Sequence, residues 1–300
     1  MATTEAIQRK IKTAEELQSV VKTMKALAAV NIRQYERAVE SVAEYHHAVA
    51  LGLQILLRHR PEATALTSSE PTQRLGVVVF GSDQGMCGMF NEQIVAHTLQ
   101  SMDNLMVAQE HRFCLVVGRR VGERLENAGQ PVERFFPVPS GVTAITSMVQ
   151  ELLIAIEEWH AGQNINRVLL FYNKHSSGMA FRPFTFQLIP VEAGWLQHLQ
   201  RSPWPTRVLP TFTMDWNPLF SALIREHLFV SLYQALAESL ASEQASRLVS
   251  MQGAERNIEE RLAELTTQFH RQRQMSITEE LLDIVSGFTA LSSKKNQRGR

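Results

Sequence analysis

Any chemistry in these 300 residues must rest on a few side chains. The loop Gly81-Ser-Asp-Gln-Gly85-Met-Cys87-Gly88 follows an apolar run and spaces its glycines four and three apart. Glycines after a strand let backbone N–H groups approach a phosphate. A dinucleotide fingerprint, however, needs G-x-G-x-x-G, and a P-loop closes on Gly-Lys-Ser/Thr. Neither pattern occurs, and no Lys lies between 75 and 110. The acidic residue that would hold a ribose is replaced by Gly118-Arg119-Arg120, which could at most mimic a pocket for a 2′-phosphate. A tight turn feeding a helix is the plainer use of these glycines.

Cys87 sits between a strand and a helix start, where a thiol pKa can fall. No base accompanies it, so the alternative is a small buried hydrophobe. His46 and His47 are adjacent on a helical stretch and diverge; no His-Glu-x-x-His and no Gly-x-Ser-x-Gly occurs. Lys174-His175-Ser176-Ser177 reads as an exposed turn. We expect no catalytic, cofactor-binding or metal-binding residue, and no cofactor.

Composition narrows the class. Lys+Arg 30 balance Asp+Glu 30, so no positive excess exists to neutralise a phosphate backbone, and nucleic acid is an unpromising partner. Two cysteines support neither a disulfide framework nor a four-thiolate zinc site. The polar N-terminal stretch has no apolar signal region, and no run approaches the ~18 apolar residues of a membrane span.

The elements that frame these residues come in two kinds. From Met1 to Leu51 there is neither Gly nor Pro, and apolar residues recur from Ile7 through Ile11, Ala14, Leu17, Val21, Met24, Ala28, Ile32, Tyr35, Val39, Val42, Tyr45, Val49 and Leu53 to Leu56. Their mean spacing of about 3.5 is the coiled-coil repeat. After Pro218 a second proline-free stretch carries a stripe from Leu223 through Leu232, Leu236, Leu240, Leu248, Met251, Ile258, Leu262, Leu265, Phe269, Met275, Leu282 and Val285 to Phe288. A lone helix of such length is marginal in water, so each stripe calls for a partner. Between them, after a polar linker at 61–71, short apolar runs at 75–80, 113–117, 132–138, 168–172 and 184–191 alternate with helical patterns at 91–105, 119–128 and 147–159. That order predicts a mostly parallel sheet covered on both faces, ending in an antiparallel strand. The expected fold is α/β: a long antiparallel coiled coil of N- and C-terminal helices with an inserted Rossmann-like α/β domain. The expected division is 1–60 and 216–292 as one discontinuous coiled-coil domain and 72–212 as the central domain.

Four segments carry a family resemblance: Val21-Lys22-Thr-Met24-Lys25-Ala-Leu-Ala-Ala29, Ser82-Asp83-Gln-Gly85-Met-Cys87-Gly88-Met-Phe-Asn91, Glu238-Ser-Leu-Ala-Ser-Glu-Gln-Ala-Ser-Arg247-Leu-Val-Ser-Met251, and Arg273-Gln274-Met-Ser276-Ile277-Thr278-Glu-Glu280-Leu-Leu-Asp-Ile-Val-Ser-Gly287. Together they resemble the gamma subunit of F-type ATP synthases, in order along the chain. The resemblance implies a non-catalytic rotor: a central stalk inside a hexamer of alpha and beta subunits, with epsilon and the c-ring at its foot. The catalytic sites would belong to beta. Membrane contact would run only through the c-ring, placing the chain peripherally at the cytoplasmic face of a bacterial inner membrane.

The same resemblance implies residue roles. Lys22, Met24, Lys25, Arg247, Gln274, Thr278 and Glu280 would contact partners and report rotor angle. Leu281, Leu282, Ile284, Val285 and Phe288 would form an apolar tip turning in a bearing. Gln84 stands where the family usually has Arg, Met89-Phe90 replaces Gly-Leu, and Glu15-Glu16 and Val20-Val21 break the usual N-terminal run; these departures point to a divergent version from an alternative bacterial F-type ATPase. Two other readings remain, a non-rotary coiled-coil adaptor and an α/β enzyme with helical dimerisation arms.

Overall fold

The computed structural model describes residues 4–60, 74–175 and 181–297, and leaves the side chains of 175 and 288–297 undescribed. The expected linker at 61–71, Ser176, Ser177 and the side chain of Phe288 therefore lie outside the described residues. In order the elements are α1 (Thr4–His59), β1 (Leu75–Phe80), α2 (Phe90–Asn104), β2 (Arg112–Val117), α3 (Arg119–Asn127), β3 (Arg134–Phe136), α4 (Ile145–Gln163), β4 (Val168–His175), β5 (Phe181–Ile189), α5 (Ala193–Arg201) and α6 (Trp216–Gln297). The chain divides into two compact units, Leu27–Ser250 and Met1–Ala26 with Met251–Arg300.

The larger unit holds one five-stranded sheet in the order β3-β2-β1-β4-β5. Neighbours are parallel except β4 and β5, which are antiparallel. β1 is buried along its whole length, as a central parallel strand covered on both faces must be. Its alternate residues feed two cores. Leu75, Val77 and Val79 pack with Ile94, Met102, Val121 and Leu125 of α2 and α3. Val78 and Phe80 pack with Val149, Leu152 and Ile156 of α4, joined by Tyr35 of α1 and by Leu232, Leu236 and Leu240 of α6. Gly76 is required where the Trp159 ring crosses the strand: a Cβ there would meet the ring at 2.8 Å.

In this unit α6 is buried on nearly every side from Val230 to Arg247. A helix buried all round needs small residues where neighbours press close and partners for any charge it buries, in this case Glu238, Glu243 and Arg247. Here Ala235, Ala237, Ser239, Ala241, Ser242 and Ala245 permit the close approach. Ser242 donates to the Asn173 carbonyl at 2.8 Å, tying α6 to β4. α1 buries Ala28, Tyr35, Val42 and Val49, one residue every seven, which is the heptad of a paired helix.

In the smaller unit Ile7 and Val21 of α1 and Met251 and Leu265 of α6 are buried. Gln18 bonds Glu259 and Lys25 pairs with Glu255, so the helices run antiparallel. Two apolar positions of the expected stripe are displaced. Leu17 and Tyr45 are 53% and 47% exposed, and the less exposed residues are the polar neighbours Gln18 and His46. The heptad counted from Ile7 reaches Gln18 and His46, not Leu17 and Tyr45. The C-terminal stripe likewise stops short. With Gln18 facing Glu259, Glu5 is level with roughly residue 272 on helices of equal rise. α6 runs on, and every side chain from Ile277 to Gly287 is exposed.

Candidate functional site: the loop after β1 and the long C-terminal helix

The loop that follows β1 spends its polar groups on itself. The Ser82 N–H donates to Asn91 Oδ1 at 3.1 Å, and Asn91 Nδ2 donates to Ser82 Oγ at 2.8 Å. Ser82 Oγ donates in turn to the Gln84 carbonyl at 2.9 Å. Asp83 accepts from the Arg119 N–H and from the Val138 N–H, both at 2.8 Å. Its carboxylate thus occupies the N-terminus of α3, where an incoming phosphate would otherwise find free N–H groups. Gly118 makes the turn beneath it at φ +106°, and a Cβ there would lie 2.7 Å from the Ser82 nitrogen. The arrangement is a structural fastening of β1, α3 and the segment after β3.

The far side of the loop is fastened to α6. Ser246 Oγ donates to the Cys87 carbonyl, and Arg247 Nη2 reaches the Gln84 carbonyl at 3.4 Å. The same Nη2 lies 2.7 Å from Glu243 Oε1, with both side chains under a tenth exposed. Burial pushes the Glu243 carboxyl above its ordinary range, and the Arg247 charge pulls it back. Glu243 Oε2 and Arg247 Nε find no partner, so the pair is held but incompletely satisfied. Burial also raises the Cys87 thiol, against a smaller opposing effect of its Ser82 contact. A thiol so placed is a poor nucleophile. Cys114, deeper still, is pushed up to about 12 by burial.

The other residues marked by resemblance lie in the smaller unit. Lys22 is exposed and Met24 half-buried. Lys25 is engaged by Glu255. Gln274, Thr278 and Glu280 are exposed on α6, and Thr278 Oγ1 donates to the Gln274 carbonyl at 2.9 Å. Leu281, Leu282, Ile284 and Val285 are 57%, 60%, 68% and 60% exposed. Lys25 is level with Glu255, nineteen residues before Gln274 on α6. At about 1.5 Å per residue that places Met24 and Gln274 apart along the helix.

Sequence reasoning missed Glu243, although Glu243 and Arg247 at i, i+4 are a legible ion pair. It also missed α5 and the contact its Trp195 makes with His227, for which periodicity gave no signal.

A family model described as ATP synthase matches residues 3–291. The ATP synthase gamma chain of an Anaeromyxobacter species is 31% identical over 72% of this chain and 72% of its own. The chain belongs to the ATP synthase gamma family. The gamma chain of a Polaromonas species is 26% identical over 97% of this chain and 100% of its own. A chain of the Euglena gracilis mitochondrial ATP synthase OSCP/F1/c-ring assembly, in rotational state 3, superposes with a TM-score of 0.63 at 17% identity, covering 97% of this chain and 95% of that one; that likeness is one of fold. A gamma chain is the central-stalk subunit and is itself non-catalytic. The hydrogen bonds of the loop after β1 join parts of the gamma chain to one another.

Proposed function

We propose that this gamma chain turns as the rotor of an F-type ATP synthase and couples transmembrane ion flow to ATP synthesis or hydrolysis. The catalytic sites it drives belong to beta subunits in an alpha–beta hexamer, and its foot engages epsilon and the c-ring. An asymmetric shaft presents a different surface to each of three equivalent catalytic subunits. Each angle then favours a different nucleotide affinity at each site. The observation that carries this reading is α6, one unbroken helix of 82 residues. It is fixed in a folded core over 230–247 and exposed on every side over 277–287.

The residue roles rest on the family resemblance, and Lys22, Gln274, Thr278 and Glu280 are exposed enough to reach a partner. Lys22, Met24, Lys25, Gln274, Thr278 and Glu280 contact the surrounding subunits, and Leu281, Leu282, Ile284, Val285 and Phe288 form the apolar tip. Arg247, held by Glu243, acts from within by fixing the 82–88 loop on α6. Among the described residues no helix is long and apolar enough to cross a membrane. In this reading the chain joins the bacterial inner membrane through the c-ring, on its cytoplasmic face.

Purified alpha and beta subunits mixed with and without this chain test the reading. A rotor gives a stoichiometric complex with a faster steady-state ATPase and stepwise turning of a bead attached to the exposed face of α2. A complex that forms without turning would make the chain a static adaptor and overturn the proposal.

A further inference from the structure

α5 is seated on α1 and α6 by an aromatic stack that the rotor role does not use. The Trp195 indole lies on the His227 imidazole with centroids 4.4 Å apart, and His46 of α1 completes the group at 5.3 Å from His227 and 6.2 Å from Trp195. The three rings border a cavity of about 370 Å³. His227 is 5% exposed. Neither His227 Nδ1 nor His46 Nε2 has a hydrogen-bond partner.

The seat is continued by apolar and polar contacts. Leu196 packs with Leu57 and Val191, bordered by Trp216 and Phe220. The Ser202 carbonyl accepts from Gln54 Nε2 and Arg58 Nη2, each at 2.7 Å. Those two bonds fall just past the end of α5, so its first turns are held by the stack and by Leu196.

We propose that the His46–Trp195–His227 stack is an acid-operated latch, which holds α5 down while both imidazoles are neutral and releases it when both carry a proton. The reason is local charge. His46 and His227 face each other across 5.3 Å, and two imidazolium ions so close in a partly desolvated site repel strongly. Other titratable groups give little relief. From the turn before α5 comes Glu192, exposed at the cavity rim. β5 offers the cavity Phe184, Thr185, Phe186 and Gln187, none of which titrates. Lys174 of β4 sits over the Phe184 ring and adds positive charge. On α6, Glu226 is engaged by the Tyr45 hydroxyl of α1 and Arg225 by Glu157 of α4. A first proton, on half-buried His46, costs less than a second on buried His227, which must also face the charge already on His46.

The direction agrees with the burial. His46 is lowered by desolvation, and His227 is pushed down to about 4, by burial first and by His46 second. Both groups take up protons more readily once released. The latch is therefore fully closed above the ordinary imidazole value of about 6.5 and weakens as pH falls toward 4. Opening uncovers the apolar cluster around Leu196.

Hydrogen exchange on the full chain, read by mass spectrometry from pH 7.5 to 4.5 and corrected for the intrinsic pH dependence, tests the latch. Amides of 193–201 should lose at least tenfold in protection over that range, while those of β2 hold theirs. His227→Phe, which keeps a stacking ring without a proton site, should retain the protection at low pH. His46→Phe serves as a second variant, with the same expectation. Unchanged protection of 193–201 in the unaltered chain would overturn the proposal. So would a loss that is equal in the variants, or one shared with β2.

Discussion

Arg247 and Glu243, one turn apart on α6, form a buried ion pair at 2.7 Å whose guanidinium nitrogen also reaches the Gln84 carbonyl. Removing one partner leaves the other charge stranded in a dry site. Glu243→Ala should therefore cost about 3–5 kcal/mol in urea unfolding of the chain. The double change Glu243→Leu with Arg247→Met should cost far less than the sum of its parts. An additive result would show that the two side chains do not depend on each other.

Gly118 and Gly129 separate strain from collision. Both have positive φ, but a Cβ on Gly118 meets backbone at 2.7 Å, whereas nothing lies within 4 Å of one on Gly129. Gly129→Ala should cost about 1–2 kcal/mol, the conformational strain alone. Gly118→Ala should cost about 3 kcal/mol or more, because backbone cannot step aside as a side chain can. Equal shifts in melting temperature would contradict this geometry.

Burial raises both thiols, Cys114 to about 12. At pH 8 the Cys114 thiolate is then roughly one part in ten thousand, and the reagent must also enter the core. Ellman's reagent should find neither cysteine in the folded chain and both in guanidinium. Fast labelling of Cys87 in the native state would mean that the 82–88 loop opens away from α6.

Leu282, Ile284 and Gln274 are exposed, so Leu282→Ser, Ile284→Ser and Gln274→Ala should alter the chain's own stability by less than about 0.5 kcal/mol. In the assembled complex each should lower ATPase turnover several-fold. Normal turnover and normal ATP-driven ion pumping in all three would remove the contact roles assigned to this end of α6.

The parallel strands and the two terminal helices were legible because their signals are local. A run such as Leu75–Phe80 has no polar residue, and α1 has no Gly or Pro before Gly52. Seam membership was less legible. Gln18 and His46 hold heptad positions, where Gln18 bonds Glu259 across the pair and His46 meets the rings of Trp195 and His227. A stripe chosen by hydrophobicity picks Leu17 and Tyr45 instead. The same holds for Arg247. On a helical wheel it reads as a solvated charge, and only the arrival of the 82–88 loop makes it an interior residue.

The partners that close α1 arrive late along the chain. Tyr45 bonds Glu226, 181 positions further on, and Gln18 bonds Glu259, 241 positions further on. On a ribosome adding about 5–20 residues per second, roughly 10–40 s pass between synthesis of Tyr45 and of its partner. Through that interval the α1 residues that pair with α6 lack their partners, while Tyr35 and Leu57 have neighbours already made in the sheet domain and α5. The sheet domain, complete in sequence before α6 begins, is thus what α1 can lean on until the second helix emerges.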